Sequence, residues 1–402
     1  MRVALISEHA SPLAVLGGAD AGGQNAHVAE LASALTQLGH GVRVYTRRDR
    51  ADQSDVIETP DGYEVVHVPA GPAEPMAKDD LLPHLPEFGR WLREDWAHGN
   101  RRPDVAHAHF WMSGLVAVMA ARRFATPIVQ TYHALGAVKR RHQGAADTSP
   151  RSRIGYEYQL GRTVHRVIAQ CTDEVAELVR LGIPRGRIDV VPSGVDTDRF
   201  TTRGRAAPRG RRFRILSVGR FVDRKGYDDV IRALPAVPKA EFVLIGGPPA
   251  AELDTDPLAR RLRALARECG VGNRVRLVGS VPREEMPKWY RSADVVAATP
   301  WYEPFGLTPL EAMACGVPVV ATAVGGLTDT VVDGVTGDLV PPRDPDALGD
   351  ALRGLAEDRQ RRMAYAAAAI DRTRARYSRQ RCAEQLTAVY EELTVPLERT
   401  AA

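Results

Sequence analysis

Residues 299 to 316 read Thr-Pro-Trp-Tyr-Glu-Pro-Phe-Gly-Leu-Thr-Pro-Leu-Glu-Ala-Met-Ala-Cys-Gly. The apolar run Val295-Val296-Ala297-Ala298 enters this stretch as a buried strand. Thr308 and Pro309 predict a helix start, with threonine as N-cap and proline at the first helical position. A loop therefore joins a strand end to a helix start, and in an open parallel sheet ligands bind there, beyond the carboxyl ends of the strands. The amides of Gly306, Leu307 and Thr308 stand free at such a start, and with the helix dipole they favour an anion such as a phosphate. Glu303 and Glu311 flank them. Carboxylates repel phosphate, so hydroxyl groups are their expected partners, and a ligand carrying phosphate and several hydroxyls is a nucleotide sugar. Thr308-Pro-Leu-Glu311 also satisfies the capping-box pattern, in which Glu311 only returns to the Thr308 amide. Those four residues leave both readings open.

The longer string Glu303-Pro-Phe-Gly-Leu-(x)3-Glu311-Ala-Met-Ala-Cys-Gly-Val-Pro-Val-Val320 resembles the signature of retaining glycosyltransferase family four. Members of that family have the GT-B fold: two α/β, Rossmann-like domains facing across a cleft, with a C-terminal helix crossing back to the first domain. The resemblance implies that Glu303 contacts the donor sugar and Glu311 the ribose, with Phe305, Gly306, Leu307 and Thr308 also on the donor.

Bulk properties are compatible with this. A chain of 402 residues can hold two domains with full cores. The net charge of +4 is spread over 54 basic and 50 acidic residues, so it points to no polyanionic partner. Cys171, Cys269, Cys315 and Cys382 form no C-x-x-C pair, which argues against a zinc site and a disulfide framework and suits a reducing cytoplasm. The N-terminus leads straight into the strand Val3 to Ser7 without a signal-type segment, and no run of apolar residues is long enough to span a membrane.

After that strand comes Leu16-Gly-Gly-Ala-Asp-Ala-Gly-Gly-Gln-Asn25, then an amphipathic helix with Val28, Leu31, Leu35 and Leu38 on one face. Glycine in such a loop lets amides approach an anion closely, although taken alone the loop is equally a turn. The spacing is not G-x-G-x-x-G, and no acidic residue ends the strand Val42 to Tyr45, which disfavours a dinucleotide-binding dehydrogenase. In the resembling family this loop sits at the cleft, which implies that Gly22 and Gly23 approach the donor phosphates.

Apolar runs at 65 to 68, 105 to 108, 128 to 131, 167 to 169 and 188 to 191 alternate with helical patterns at 80 to 97, 113 to 123, 152 to 164 and 173 to 181. That rhythm predicts a parallel sheet covered on both faces. Connections after the second and third of these strands carry His109, Phe110 and Tyr132, expected at the acceptor, and His133, just past a strand end. A lone histidine there is usually structural, but the resemblance implies a contact with the donor sugar, so His133 is expected to orient it rather than act as a general base. Asn25 and Lys78 resemble acceptor-binding positions of one branch, the enzymes that transfer N-acetylglucosamine to inositol phosphate in mycothiol synthesis. Further phosphate donors of that branch are replaced here by Phe110, Ala134 and Ile154, none of which has a side-chain donor, and the adjacent Arg153 is the expected substitute for the last. A less anionic polyol, aminocyclitol, sugar or thiol is then as good an acceptor as inositol phosphate.

Val190-Val-Pro-Ser-Gly-Val-Asp-Thr-Asp-Arg-Phe200 is a further family hallmark, with Ser193 where asparagine is commoner, and the Gly, Pro and Arg-rich stretch 201 to 212 follows as a solvated linker. No aromatic interleaving makes its arginines a nucleic-acid patch. The second domain restarts with the strand Phe213 to Val218, then Gly219-Arg-Phe-Val-Asp-Arg-Lys-Gly226 and a helix from Tyr227. Arg220 and Lys225 strongly resemble the family's diphosphate clamp, arginine binding two oxygens and lysine acting as a point charge. Strands at 241 to 245, 275 to 279, 295 to 298 and 319 to 322 alternate with helices at 257 to 268 and 284 to 291, and helices at 346 to 356, 359 to 375 and 379 to 392 close the chain. Val281, in the turn after 275 to 279, is expected near the nucleotide base, and Gly325-Gly326 on the same rim.

The expected organisation is an acceptor domain over 1-200, joined by 378-402, and a donor domain over 213-377. The expected activity is retaining transfer from a nucleotide diphosphate sugar, UDP-linked rather than GDP- or ADP-linked, to a small polar acceptor. His133, Arg220, Lys225 and Glu303 are the catalytic candidates. No metal or other cofactor is expected, since acidic pairs such as Asp79-Asp80 and Asp228-Asp229 fall on helices. Partners are the donor and acceptor, with no nucleic acid and no membrane, and a homodimer is left open. A noncatalytic nucleotide-sugar binder of the same fold is the rival reading. A phosphorylase or epimerase lacks an identified cofactor lysine or second acid/base pair.

Overall fold

A strand covered by helices on both faces needs aliphatic residues at successive positions, and each short apolar run becomes such a strand. The computed structural model describes residues 1–14 and 22–394. They form two units: 1–14, 23–194 and the chain from Arg379 make the first, and 195–378 with Gly22 the second. Residues 16–21 of the glycine loop lie outside the described residues.

The first unit contains β1 (Arg2–Ile6), β2 (Gly41–Arg47), β3 (Val56–Glu58), β4 (Glu64–Val68), β5 (Val105–His109), β6 (Ile128–Thr131), β7 (Arg166–Ala169) and β8 (Ile188–Val190). They lie in the order β3-β4-β2-β1-β5-β6-β7-β8, parallel except for the β3–β4 pair. The second contains β9 (Phe213–Val218), β10 (Ala240–Ile245), β11 (Val275–Gly279), β12 (Val295–Ala298), β13 (Val319–Thr322) and β14 (Gly337–Val340), in the order β11-β10-β9-β12-β13-β14. In both sheets the first strand sits centrally and the order reverses beside it, between β1 and β5 and between β9 and β12. The crevice past the carboxyl ends of such a pair is where doubly wound sheets bind ligands. Each unit has its own: Ser7 to His9 and His109-Phe110 follow the strands at the reversal in the first, and Gly219-Arg220 and loop 299 to 306 in the second.

Alternate strand residues supply the two faces. Ile215, Phe242, Leu244 and Val295 belong to one apolar cluster of the second unit, and Leu216, Val243, Ile245 and Val296 to the other, together with Leu310 and Met313 of the helix Leu307–Ala314. In the first unit the last helix, Arg379–Thr394, packs Cys382, Leu386 and Tyr390 among Val3, Leu5, Val28 and Leu35, so the chain returns to the first sheet after Ser378. Tyr390 also gives its hydroxyl a buried partner in His107 Nδ1, at 2.6 Å.

Several boundaries differ from the sequence reading for identifiable reasons. Pro83, without an N–H, splits the helix expected at 80 to 97 into a 3₁₀ stretch, Lys78–His84, and the helix Leu85–Ala97. The short β3, the edge strand β14 and the helices Gly136–Gln143 and Leu327–Thr330 carry too little periodicity to be read in advance. The stretch 201 to 212 is not a loose solvated linker throughout. Ala207 N donates to Lys288 O at 2.8 Å, and Arg209 donates to Ser292 O and Asp294 Oδ2 at 2.8 and 2.6 Å, so its later half is fastened to the second unit.

Candidate functional site

In the second unit the site is assembled by contact between two loops. The β9 loop turns at Gly226, with φ +64°, and a Cβ there would fall 2.1 Å from Thr299 O. Only glycine permits that approach, and Thr299 Oγ1 in return donates to Gly226 O at 2.9 Å. The approach sets Lys225 Nζ 2.5 Å from Glu303 Oε2, with the two side chains 19% and 16% exposed. Burial lowers the Lys225 pKa despite the Glu303 charge. For Glu303 burial works upward, but Lys225, Arg224 and Arg220 outweigh it and hold the carboxyl below its ordinary value. The pair is ionic, and Arg220 adds a further cation, with Gly22 in range of its guanidinium: a Cβ on Gly22 would lie 3.7 Å from Arg220 Nε.

Loop 303 to 308 is braced from behind. Gly326 N donates to Glu303 O at 3.0 Å, and a Cβ on Gly325 would come within 2.2 Å of the same oxygen. The helix then starts two residues earlier than expected, at Leu307, with Gly306 as N-cap in the left-handed region (φ +94°). The Thr308 side chain is thus not the N-cap; it reaches only toward Val218 O, at 3.5 Å. The amides of Gly306, Leu307 and Thr308 have no backbone acceptor among the described residues, as a helix start dictates. Phe305 is buried with its ring 6.3 Å from Tyr377, so its side chain packs the core behind the loop, where Val281 is also half-buried.

Glu311 does not form a capping box. Its oxygens accept from Arg283 Nη1 at 2.9 Å and from the Tyr290 hydroxyl at 2.7 Å, and the carboxylate is nearly buried. Tyr290→Phe should therefore destabilise the protein by about 1 to 3 kcal/mol, the range for stranding a buried polar group, read as a lowered melting temperature.

The first unit gathers its histidines at the carboxyl ends of β5 and β6. His109 Nδ1 lies 3.0 Å from His133 Nε2, and His27, on the helix Gly23–Gln37, has its ring 5.4 and 5.0 Å from those two. Burial, then the neighbouring imidazoles, drives His109 and His133 well below the ordinary histidine value, and burial alone takes His27 to about 4. Three neutral imidazoles offer nitrogens within 4.8 Å of one another, a set able to hold a transition-metal ion. Sequence reading missed it because the three residues come from three separate elements. Three non-glycine residues have positive φ among the described residues, and two of them, Phe110 (82°) and His133 (61°), stand on this rim. Such strain is costly and collects at functional sites.

Several residues expected at the acceptor have partners within the fold. His109 is fully buried beneath His133. Tyr132 is fully buried with its hydroxyl donating to Glu157 O at 2.7 Å. Arg153, 2% exposed, donates to Glu157 Oε1, Ser149 Oγ and Ala134 O, so its guanidinium is already engaged. Asn25 Nδ2 donates to Ser11 O at 2.9 Å. Lys78 stays near the rim with Nζ 5.5 Å from the Phe110 ring centroid. One neighbour of that ring was not singled out from the sequence: His9, whose ring lies 4.9 Å away and whose Nδ1 is 2.6 Å from Oε1 of the buried Glu8.

Comparison with known proteins agrees with this geometry. Residues 198–372 match the family model described as glycosyl transferases group 1, and residues 21–199 the one described as glycosyltransferase family 4. The D-inositol 3-phosphate glycosyltransferase of Xylanimonas cellulosilytica is 39% identical, over 98% of this chain and 97% of its own. The solved sucrose-phosphate synthase of Thermosynechococcus elongatus superposes with a TM-score of 0.88 at 31% identity, covering 98% of each chain. Anabaena HepE in complex with UDP-glucose shares the fold at 20% identity and a TM-score of 0.75, over 98% of this chain and 100% of its own. No helix among the described residues is long and apolar enough to cross a membrane. Matched along both halves and by relatives of its full length, the chain belongs to the group 1 and family 4 glycosyltransferases of GT-B fold, in the branch of the D-inositol 3-phosphate enzymes, and acts on a nucleotide sugar.

Proposed function

We propose that the protein transfers a glycosyl group from a UDP-sugar to a small polar acceptor, with retention at the anomeric carbon and without a metal. One observation carries the reading: the Lys225–Glu303 pair stands at the β9/β12 reversal, in the loop that leads to the amides of Gly306 to Thr308, which have no backbone acceptor among the described residues. Arg220, Lys225 and those amides stabilise the charge that develops on the departing diphosphate, and their preorganisation lets them act without rearranging. Glu303 takes sugar hydroxyls and Glu311 the ribose. The anomeric C–O bond to phosphate breaks, the bond to the acceptor oxygen forms on the same face, and the acceptor proton passes to the leaving phosphate oxygen. No side-chain nucleophile is required. We keep the roles the resemblance implies, His133 orienting the sugar and Gly22 and Gly23 near the phosphates.

Relatives are named for D-inositol 3-phosphate, but Phe110, Ala134 and Ile154 offer no side-chain donor and Arg153 is already bonded, which favours an acceptor less anionic than a phosphate ester. Purified protein should be stabilised against heat by UDP more than by GDP or ADP, should slowly release UDP from a UDP-sugar, and should keep its rate within about twofold after EDTA treatment, since electrostatics rather than a metal carries the leaving group. A protein that binds UDP yet releases none from any UDP-sugar is a noncatalytic binder. A rate lost on chelation and restored by one metal would overturn metal independence and point to the three histidines.

A further inference from the structure

Two of the three clustered histidines of the first unit are poorly supplied with hydrogen bonds. His27, 8% exposed on the helix Gly23–Gln37, has no partner for either ring nitrogen among the described residues. His109 is fully buried, and its Nε2 likewise has none. Stranding a buried polar atom costs roughly 1 to 3 kcal/mol, so folds seldom keep two such groups side by side without a use for them. His107 shows the contrast. It stacks on His109 at 4.3 Å, but its Nδ1 pairs with the Tyr390 hydroxyl and its Nε2 with Thr131 Oγ1, at 2.6 and 2.8 Å. Both of its nitrogens are spent, so it walls the cluster and is not a candidate ligand.

The spacing of the remaining nitrogens suits a small cation. His133 Nε2 stands 3.0 Å from His109 Nδ1. Two imidazole ligands of a tetrahedral zinc, each about 2.0 to 2.1 Å from the metal, stand roughly 3.3 Å apart, so this pair needs to part by only a few tenths of an ångström. His27 closes a third side, its ring 5.4 and 5.0 Å from those two. A hydrogen bond to a neighbouring group commonly orients a metal-binding histidine, and the Gln170 side chain supplies one to His133. Burial, joined at His109 and His133 by the neighbouring imidazoles, keeps all three rings neutral at neutral pH, where a metal then competes with no proton. Three nitrogens without a carboxylate favour zinc, cobalt or nickel over magnesium or calcium. His133, only half-buried, is the member that solvent reaches.

We propose that His27, His109 and His133 form an inhibitory binding site for a divalent transition metal of the zinc class. The binding stands on the cluster alone, while the inhibition rests on the reading that His133 orients the donor sugar: the metal takes the lone pair that a sugar hydroxyl would meet. Cobalt(II), a spectroscopic substitute for zinc, reads the binding. Titrated into metal-free protein, it should bind at one ion per chain with the visible absorption of a four- or five-coordinate site, and zinc should displace it. The affinity should fall at least tenfold in His27→Gln and in His133→Ala, two variants made separately so that a folding failure in one leaves the other. It should hold in His98→Gln, which removes an exposed histidine elsewhere. No bound cobalt, or unchanged affinity in both cluster variants, overturns the site. Saturating zinc should slow UDP release from UDP-glucose or UDP-N-acetylglucosamine at least fivefold in the wild type, and EDTA should restore the rate. His27→Gln should resist, each rate being read against the same protein without metal. Inhibition of His27→Gln equal to that of the wild type places the zinc on the nucleotide and overturns the inhibitory role, as does a rate that zinc leaves unchanged or raises. A wild type that releases no UDP even without metal defeats the transfer reading instead, and cobalt binding then decides the site by itself.

Discussion

Lys225→Ala is expected to lower donor turnover at least tenfold. A hydrogen bond to a charged group contributes roughly 1.5 to 3 kcal/mol, and each 1.4 kcal/mol of transition-state stabilisation is about a factor of ten in rate. The structure adds a second reason. Lys225 Nζ lies 2.5 Å from Glu303 Oε2, so its removal also leaves a mostly buried carboxylate without its nearest cation. The two causes can be separated by a double-mutant cycle with Glu303→Ala. If Lys225 acts only by holding Glu303, the double variant is no slower than Glu303→Ala alone. If it also stabilises the leaving diphosphate, the double variant is slower by a further several-fold. Wild-type turnover in Lys225→Ala would remove the lysine from the site.

Why the sequence yielded this pair, and not the rest, is a matter of where the contacts come from. Lys225 and Glu303 each stand in a contiguous string with glycine and proline at fixed offsets, and such strings can be read one at a time. Their pairing needs the β9 and β12 loops to meet at Gly226 and Thr299, which no local spacing reveals. The two-sheet fold was legible because buried parallel strands write themselves as apolar runs, whereas β3 is three residues long and two of them are exposed. Glu311 illustrates the limit in the other direction. Thr308-Pro-Leu-Glu311 satisfies a capping pattern, yet Arg283 and Tyr290, from a different stretch of chain, compete for the carboxylate and win. Tyr132 shows the same limit: a strand end announces a rim, but whether a side chain faces outward or toward the helix Arg153–Thr163 depends on packing.

Gly325→Ala is expected to lower donor kcat/KM by about 100-fold, although residue 325 has no side chain to offer a ligand. Its Cβ would sit 2.2 Å from Glu303 O and 3.1 Å from Glu303 C, and both obstacles are backbone, so no rotamer change relieves them. Restoring an ordinary contact requires the Glu303 peptide to retreat by about 1 Å, and a misplacement of that size at a reacting centre costs about 100-fold. The substitution also forces alanine into the left-handed region, at φ +49°, which by itself costs roughly 1 to 2 kcal/mol of stability. Gly334 separates the two effects. It shares the left-handed backbone, at φ +70°, but a Cβ there meets nothing within 4 Å. Gly334→Ala should therefore lose comparable stability in a denaturant titration while its kinetics stay near wild type. If both variants lose activity alike, backbone strain rather than displacement of Glu303 is the cause. If Gly325→Ala turns over donor normally, Glu303 is not held to its position by the glycine pair, and its placement beside Lys225 carries less of the catalysis than the geometry indicates.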